Sequence, residues 1–294
     1  MIKYVIYSPP YDNNSGGSIV LHKLCYLLRQ QGEMGFVWYS NKPHINDMIS
    51  WQGIKRFICY IGNKKNRSPY DLTLANYKSL KDAVVIYPEV VNGNPLRVKN
   101  VVRWFLNKPG VLTGDICFGS NDLFFYYDIH FNDPEINKNL LNQLKVVEIQ
   151  SSTYKYINEQ KRSDACYMVR KGQYRSLDYH GDATCIDNLD HKYVALIFNT
   201  CKYFICYDLY TMYSRYAAMC GCIPIVVPEK GMTKEQWLPI VKDRYGIAYG
   251  WDDIDWAIET RPLLMEYLSE CELISRQSVE QFVAKTKKYF NLNQ

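Results

Sequence analysis

Five short stretches of this chain carry residue types whose spacing could do chemistry. The first is Tyr207-Asp208-Leu209-Tyr210-Thr211, which follows the strand-like run Lys202-Tyr203-Phe204-Ile205-Cys206. Asp208 suits the N-cap of a helix expected over about 209–220, and Gly221 suits its C′ position. The amino end of such a helix offers N–H groups and a partial positive charge, worth about 0.3–1 kcal/mol toward a phosphate. On that helix Thr211, Ser214 and Arg215 stand at i, i+3 and i+4 and share a face, with Tyr210 beside them. Two hydroxyls and a guanidinium suit a diphosphate; they equally suit a polar outer face behind a simple Asp cap.

The second stretch is Arg170-Lys171-Gly172, directly after the apolar run Ala165–Val169. Adjacent cations at a strand end can clamp a phosphate leaving group, although basic residues are common there. The third is Ser15-Gly16-Gly17-Ser18, which opens onto a helix and lets backbone N–H groups approach a ligand closely. It is not G-x-G-x-x-G, so the dinucleotide fingerprint is absent, and an ordinary glycine turn fits it as well. The fourth is Tyr87-Pro88-Glu89-Val90-Val91-Asn92-Gly93-Asn94-Pro95. Turn chemistry accounts for its Asn-Gly-Asn-Pro but not for Glu89, which suits a general base or an acceptor for a sugar hydroxyl. The fifth is Asp252-Asp253-Ile254-Asp255, where capping of a helix start outweighs metal binding.

The elements that must position these residues alternate between short apolar strands and amphipathic helices, the pattern of α/β folds. Strands are expected at 3–7, 35–39, 54–60, 82–87, 115–118 and 123–127 in the first half. In the second half they are expected at 165–169, 185–186, 202–207, 223–227 and 247–249. Helices are expected at 19–31, where Leu21, Leu24, Cys25, Leu27 and Leu28 form a 3.6-period stripe, and at 190–199, 209–220 and 261–290. Residues 62–71 read as a polar loop. The unit 202–227 is a β-α-β with short connections, hence a parallel pair with a right-handed crossover. In such sheets ligands bind outside the carboxyl ends of the strands, a rule that directs attention to the loops 11–18 and 207–211.

Composition bounds the possibilities. The 294 residues, at about 150 per domain, suggest about two domains. With 22% charged and 47% hydrophobic residues the chain is neither disordered, collagenous nor a disulfide miniprotein. No apolar run approaches the ~20 residues of a spanning helix, and the amino-terminal apolar stretch is too short for a signal peptide. The ten cysteines form no C-x2-C pair and read as small buried hydrophobes of a reducing compartment. Residues 1–150 hold 17 Lys/Arg against 12 Asp/Glu, and residues 151–294 hold 18 against 18, so the whole net charge of +5 lies in the first half. That excess fits an ordinary solvated surface best, suits an anionic membrane surface or an acidic acceptor less, and is too small and scattered for nucleic acid.

The stretch 199–228, with Tyr207-Asp208 and then Tyr216-Ala217-Ala218-Met219-Cys220-Gly221-Cys222-Ile223-Pro224-Ile225-Val226-Val227, resembles the donor-site β-α-β of GT-B glycosyltransferases. There an acidic residue follows the strand, the helix ends in E-A-M-A-C-G, and x-P-V-V follows. The segments Tyr87-Pro88-Glu89 with Gly93-Asn94-Pro95, Asn107-Lys108-Pro109-Gly110 and Tyr207-Asp208 together resemble a bacterial surface-polysaccharide subgroup of these glycosyltransferases. Ser15-Gly16-Gly17-Ser18 and its helix resemble the G-G opening of the same proteins, Arg170-Lys171-Gly172 answers to their phosphate-binding Arg and Lys, and Gly246-Ile247-Ala248 with Asp252 resembles a late segment. One departure stands out: retaining members carry two Glu eight positions apart, and here Asp208 fills the first while Tyr216 fills the second.

The resemblance implies two Rossmann-like domains facing across a cleft, 1–152 for the acceptor and 153–294, with a helical tail, for the donor. The implied reaction moves a sugar from a nucleotide diphosphate sugar to a hydroxyl on a glycan or lipid-linked acceptor, without cofactor or metal. Glu89 and Asp208 are the expected catalytic residues. Arg170, Lys171, Asp208, Tyr210, Thr211, Ser214 and Arg215 are expected to hold the donor, and Gly16, Gly17 and Asn92 the acceptor. The expected location is the cytoplasm, with peripheral contact to the inner face of a membrane through the basic first half. Two alternatives stay open: a nucleotide-sugar epimerase on the same scaffold and a non-catalytic sugar- or nucleotide-binding protein, which donor turnover separates from a transferase.

Overall fold

A computed structural model of the protein describes residues 1–41, 68–150, 153–174, 176 and 180–292. The chain divides into two compact units, Met1–Glu148 with Glu272–Gln294, and Ile149–Cys271. Each is built on a parallel five-stranded sheet.

In the first unit the strands are β1 (Lys3–Ser8), β2 (Met34–Tyr39), β3 (Val84–Pro88), β4 (Asn100–Phe105) and β5 (Leu123–Tyr126), in the order β2-β1-β3-β4-β5. All neighbours run parallel. Alternation of side chains across the sheet sends Tyr4, Ile6, Val102, Trp104 and Phe125 to one apolar face and Val5, Val85, Tyr87 and Val101 to the other. Both faces are covered, which is why these strands read as continuous apolar runs rather than as alternating ones. Helix α1 (Gly16–Gln30) lays Leu21, Leu24, Leu27 and Leu28 on the first face. Its start is fixed by Ser15, whose side chain accepts from the Ser18 N–H.

The second unit contains β6 (Ser163–Met168), β7 (Thr184–Cys185), β8 (Cys201–Cys206), β9 (Ile223–Val226) and β10 (Ala248–Tyr249), in the order β10-β9-β8-β6-β7, again all parallel. Its helices are α2 (His191–Thr200), α3 (Tyr213–Met219), the short α4 (Lys234–Trp237) and the first part of α5 (Ile254–Tyr289). Val194, Phe198, Ala217 and Leu264 from these helices meet Cys166, Phe204 and Val226 of the sheet in one core.

The α/β class and the parallel sheets agree with the sequence reading, and four details differ. Residues 272–294, expected in the second domain, belong to the first unit, because Val279, Phe282 and Val283 of α5 pack into its core. Helix α5 starts at Ile254 rather than near Arg261 and carries Pro262 inside it. Residues 115–118 are not a strand; they form a loop held by Asn92 and Gly93. Strand β4 is an addition. Its Arg103 interrupts an apolar run, yet the side chain is fully buried, ion-paired to Asp122 at 2.7 Å, bonded to the carbonyls of Val91 and Gly93, and set between the rings of Tyr87 and Phe118. The expected strand 54–60 and residues 62–67 of the expected loop lie outside the described residues. No helix among the described residues is long and apolar enough to cross a membrane.

Candidate functional site

The carboxyl edge of the second sheet gathers the densest set of charged side chains singled out above. Register aligns Met168 of β6 with Cys206 of β8, and Tyr167 of β6 with Cys185 of β7. Three neighbouring parallel strands therefore end at one level, and the residues leaving them come together. After β6 come Arg170 and Lys171, after β7 comes Asp187, and after β8 come Tyr207 and Asp208.

The chain leaving β6 turns at once. The Gly172 N–H donates to the Val169 carbonyl at 2.7 Å, and Arg170–Gly172 form one 3-10 turn. Gly172 is required there: a Cβ on it would come within 2.6 Å of both the carbonyl carbon and the Cβ of Tyr207. The turn is thus pressed against the end of β8, which brings the charges of Arg170 and Lys171 within electrostatic reach of Asp208. Arg170 adopts a φ of +40°, a left-handed conformation that side-chain-bearing residues rarely take. Its guanidinium carbon lies 5.4 Å from the centre of the Tyr213 ring.

Asp208 is buried, at 5% exposure, and one carboxylate oxygen accepts from the Tyr210 N–H at 3.3 Å. Burial pushes its pKa up; the Lys171 and Arg170 cations oppose that shift, and the Asp187 carboxylate adds to it. Asp187 Oδ2 accepts from the N–H groups of Val169 at 3.0 Å and Arg170 at 3.4 Å. Its Oδ1 is buried and has no hydrogen-bond partner. His180 stacks on Tyr167 of β6 with ring centres 3.8 Å apart and meets the Tyr207 hydroxyl at 2.9 Å.

The remaining expected donor residues do not join this cluster in the expected way. The helix after β8 begins at Tyr213, not Leu209, and is seven residues long with no side-chain cap. The segment between is held by one local and one distant contact: the Asp208 carboxylate accepts from the Tyr210 N–H, and buried Trp237 donates from Nε1 to the Leu209 carbonyl at 2.9 Å. Thr211 therefore precedes the helix, and its hydroxyl accepts from the Tyr213 N–H at 3.3 Å. Ser214 is buried. Arg215 turns to Asp243, 3.1 Å away. The shared face of Thr211, Ser214 and Arg215 is thus not formed; Tyr210 remains exposed in the loop. Tyr216, at the position of the second acid, lies in the core stacked on Tyr154 with ring centres 4.1 Å apart.

In the first unit the strand ends bring Gly17 and Glu89 to a common neighbour. Glu89 is buried and its Oε2 accepts from the Leu106 N–H at 2.9 Å, while the Leu106 side chain lies 3.8 Å from where a Cβ on Gly17 would stand. Gly16 opens α1 with nothing within 4 Å of its virtual Cβ. Asn92 does not join them. Its amide donates to the Asp115 carbonyl and accepts from the Cys117 N–H, so it fastens the 115–117 loop. Asp253 likewise serves the fold, pairing with Lys234 at 2.8 Å and accepting from the Tyr249 N–H. Among the described residues no group of three or more His, Cys, Asp or Glu is arranged to hold a metal ion.

Sequence reasoning missed two residues here. Asp187 follows β7 as Asp208 follows β8, and that parallel was the signal. His22, on α1 below the Gly16–Gly17 turn, is 1% exposed; Nε2 meets the Pro9 carbonyl at 3.1 Å, and Nδ1 is buried without a partner. No signal in the sequence marks it, since a histidine inside an amphipathic helix reads as surface or core alike. Neither a family model nor a curated protein matches the chain.

Proposed function

We propose that this protein is a GT-B-type glycosyltransferase that moves a sugar from a nucleotide diphosphate sugar to a hydroxyl acceptor. One observation carries the reading: Arg170 and Lys171 stand beside a buried carboxylate, Asp208, at the carboxyl edge of a parallel sheet. Two cations there neutralise the diphosphate as the glycosidic bond breaks and charge develops on the leaving oxygen, the kind of electrostatic stabilisation that lowers barriers most. The new bond forms between the acceptor oxygen and the anomeric carbon, and the acceptor's proton leaves to a base. In this reading Asp208 holds the donor, the first unit serves the acceptor, and Glu89 is its acid–base residue. A mildly basic first half suits a lipid-linked acceptor at an anionic surface.

A second reading, binding without turnover, is favoured by Tyr216. The position of the second acid in retaining members is taken by a ring stacked in the core, so no carboxylate stands there.

The test is a screen of nucleoside diphosphates for thermal stabilisation, followed by turnover with the nucleotide sugar that responds. A ligand at 100 times its Kd adds about 2.7 kcal/mol of stability. Release of nucleoside diphosphate that requires an acceptor supports transfer, and stabilisation without release supports the second reading. Arg170→Ala is expected to weaken nucleoside diphosphate binding, and transfer is expected to survive EDTA because the two cations carry the neutralising charge. No stabilisation by any nucleoside diphosphate would remove both readings.

A further inference from the structure

The carboxylate of Asp187 has a geometry that ordinary turn chemistry does not require. Val169, with φ −103° and ψ −57°, and Arg170, with φ +40°, follow one another in right- and left-handed conformations. Successive residues of this kind turn their N–H groups into one concavity that attracts an anion. Asp187 Oδ2 fills it, accepting from Val169 at 3.0 Å and Arg170 at 3.4 Å. The other oxygen of that carboxylate is buried and unpartnered, and Asp187 stands near a second carboxylate, Asp208. Both features cost stability. Side-chain-bearing residues in the left-handed region cost about 1–3 kcal/mol, and such strain collects at functional sites.

We propose that Asp187 is the positioning residue of the diphosphate site: by anchoring the backbone N–H groups of Val169 and Arg170 it holds Arg170 left-handed and aims its guanidinium along Tyr213 toward the anion. The inference rests on the transferase reading only in that Arg170 binds the ligand's phosphates. It makes Arg170 a preorganised clamp rather than a mobile surface cation, since the conformation is fixed before the ligand arrives. Asp187 itself touches no ligand. It acts through one backbone turn, and its role is lost when Arg170 is lost.

A double-mutant cycle tests this, with inorganic pyrophosphate as the probe in titration calorimetry on the full chain. Asp187→Ala is expected to weaken pyrophosphate about tenfold, whereas Asp187→Asn, which keeps an oxygen for the two N–H groups, stays within about threefold of the natural chain. In an Arg170→Gly background Asp187→Ala is expected to change affinity less than twofold. A merely structural Asp187 would lower the melting temperature equally in both backgrounds and leave the affinity of the folded protein untouched, which overturns the proposal. Tighter binding by Asp187→Ala also overturns it, because the carboxylate would then be occupying the phosphate's own place. If Asp187→Ala does not fold, Asp187→Glu, which shifts the carboxylate by one methylene, replaces it with the same expected loss, and unchanged affinity refutes the idea. A natural chain that binds no pyrophosphate refutes the diphosphate site itself, and so separates that failure from a failure of Asp187 alone.

Discussion

Gly172→Ala tests the link between backbone packing and anion binding most directly. The new Cβ would lie 2.6 Å from the carbonyl carbon and Cβ of Tyr207, against an ordinary contact of 3.4 Å or more, a shortfall of about 0.8 Å. None of these atoms is the far end of a flexible side chain, so the 170–172 turn must retreat from β8 by roughly that distance. Overpacking of this kind costs about 1–3 kcal/mol, and the rigid partner argues for the middle of the range or above. At about 2–4 °C per kcal/mol, the melting temperature should fall by about 4–8 °C for a 2 kcal/mol loss. The retreat carries Arg170 and Lys171 away from Asp208, and misplacement by about 1 Å can cost up to a hundredfold in a reaction that needs alignment. We expect pyrophosphate affinity, measured by calorimetry well below the melting temperature, to fall about tenfold, equal to about 1.4 kcal/mol. A lowered melting temperature with unchanged affinity would refute the argument that the turn positions the cations. An unchanged melting temperature would refute the close approach itself.

Other substitutions separate site from scaffold. Arg170→Gly relieves left-handed strain of about 1 kcal/mol, while glycine's greater freedom in the unfolded chain takes back about 0.5–1 kcal/mol. The melting temperature should therefore stay nearly level as pyrophosphate affinity falls at least tenfold; a drop of more than 5 °C would mean that the contact with Tyr213 holds the fold. Lys23, buried in the first unit, bridges Glu148 at 2.9 Å and Glu272 at 2.7 Å. Lys23→Met leaves two carboxylates together, and since Glu272 is 41% exposed the buried-pair cost shrinks to about 2 kcal/mol; urea unfolding checks it, and a loss below about 0.5 kcal/mol would contradict it. Burial holds the His22 imidazole below its ordinary pKa of about 6.5. Between the two values the unfolded chain takes up a proton that the folded chain does not, so stability is complete above about pH 6.5 and declines as pH falls through the window. His22→Gln should flatten that slope in urea midpoints measured from pH 7.5 to 5, and an unaltered slope would assign it elsewhere.

What the sequence displayed and what it hid divide along physical lines. β1, β3, β8 and β9 were legible because strands covered on both faces are continuous apolar runs. Gly221 was legible as a helix C′ residue because only a left-handed position, here φ +86°, so favours glycine. β4 was hidden because the partners that neutralise Arg103 come from Val91, Gly93, Phe118 and Asp122, none adjacent to it in the chain. The start of α3 was misread for a related reason. Asp208 has the right type for a cap, but Trp237, reaching in from a later helix, holds the Leu209 carbonyl and keeps residues 207–212 extended or turning. In the site, Arg170, Lys171 and Asp208 were visible as charges at strand ends. Asp187 follows a two-residue strand, and Arg215 and Ser214 were misassigned because i, i+3, i+4 spacing has meaning only where a helix already runs.

The shortened α3 changes which forces a diphosphate would meet. A seven-residue helix starting five residues past Asp208 brings no ordered row of N–H groups to the strand end, so the helix dipole, worth at most about 1–2 kcal/mol even when partly buried, is not the main attraction. Charge-assisted hydrogen bonds from Arg170 and Lys171, about 1.5–3 kcal/mol each, take its place. Before ligand binds, two cations already face two carboxylates, so the cluster is near neutrality. A diphosphate adds negative charge that the cations cannot wholly offset while both acids stay ionised. Asp208 is buried, and that burial raises its pKa and so favours the protonated form. In the transferase reading an incoming diphosphate raises that pKa further, and a protonated Asp208 is a donor that can bond phosphate where the carboxylate repels it. In that reading the residue that sequence patterning assigns to a helix cap serves as the site's adjustable charge.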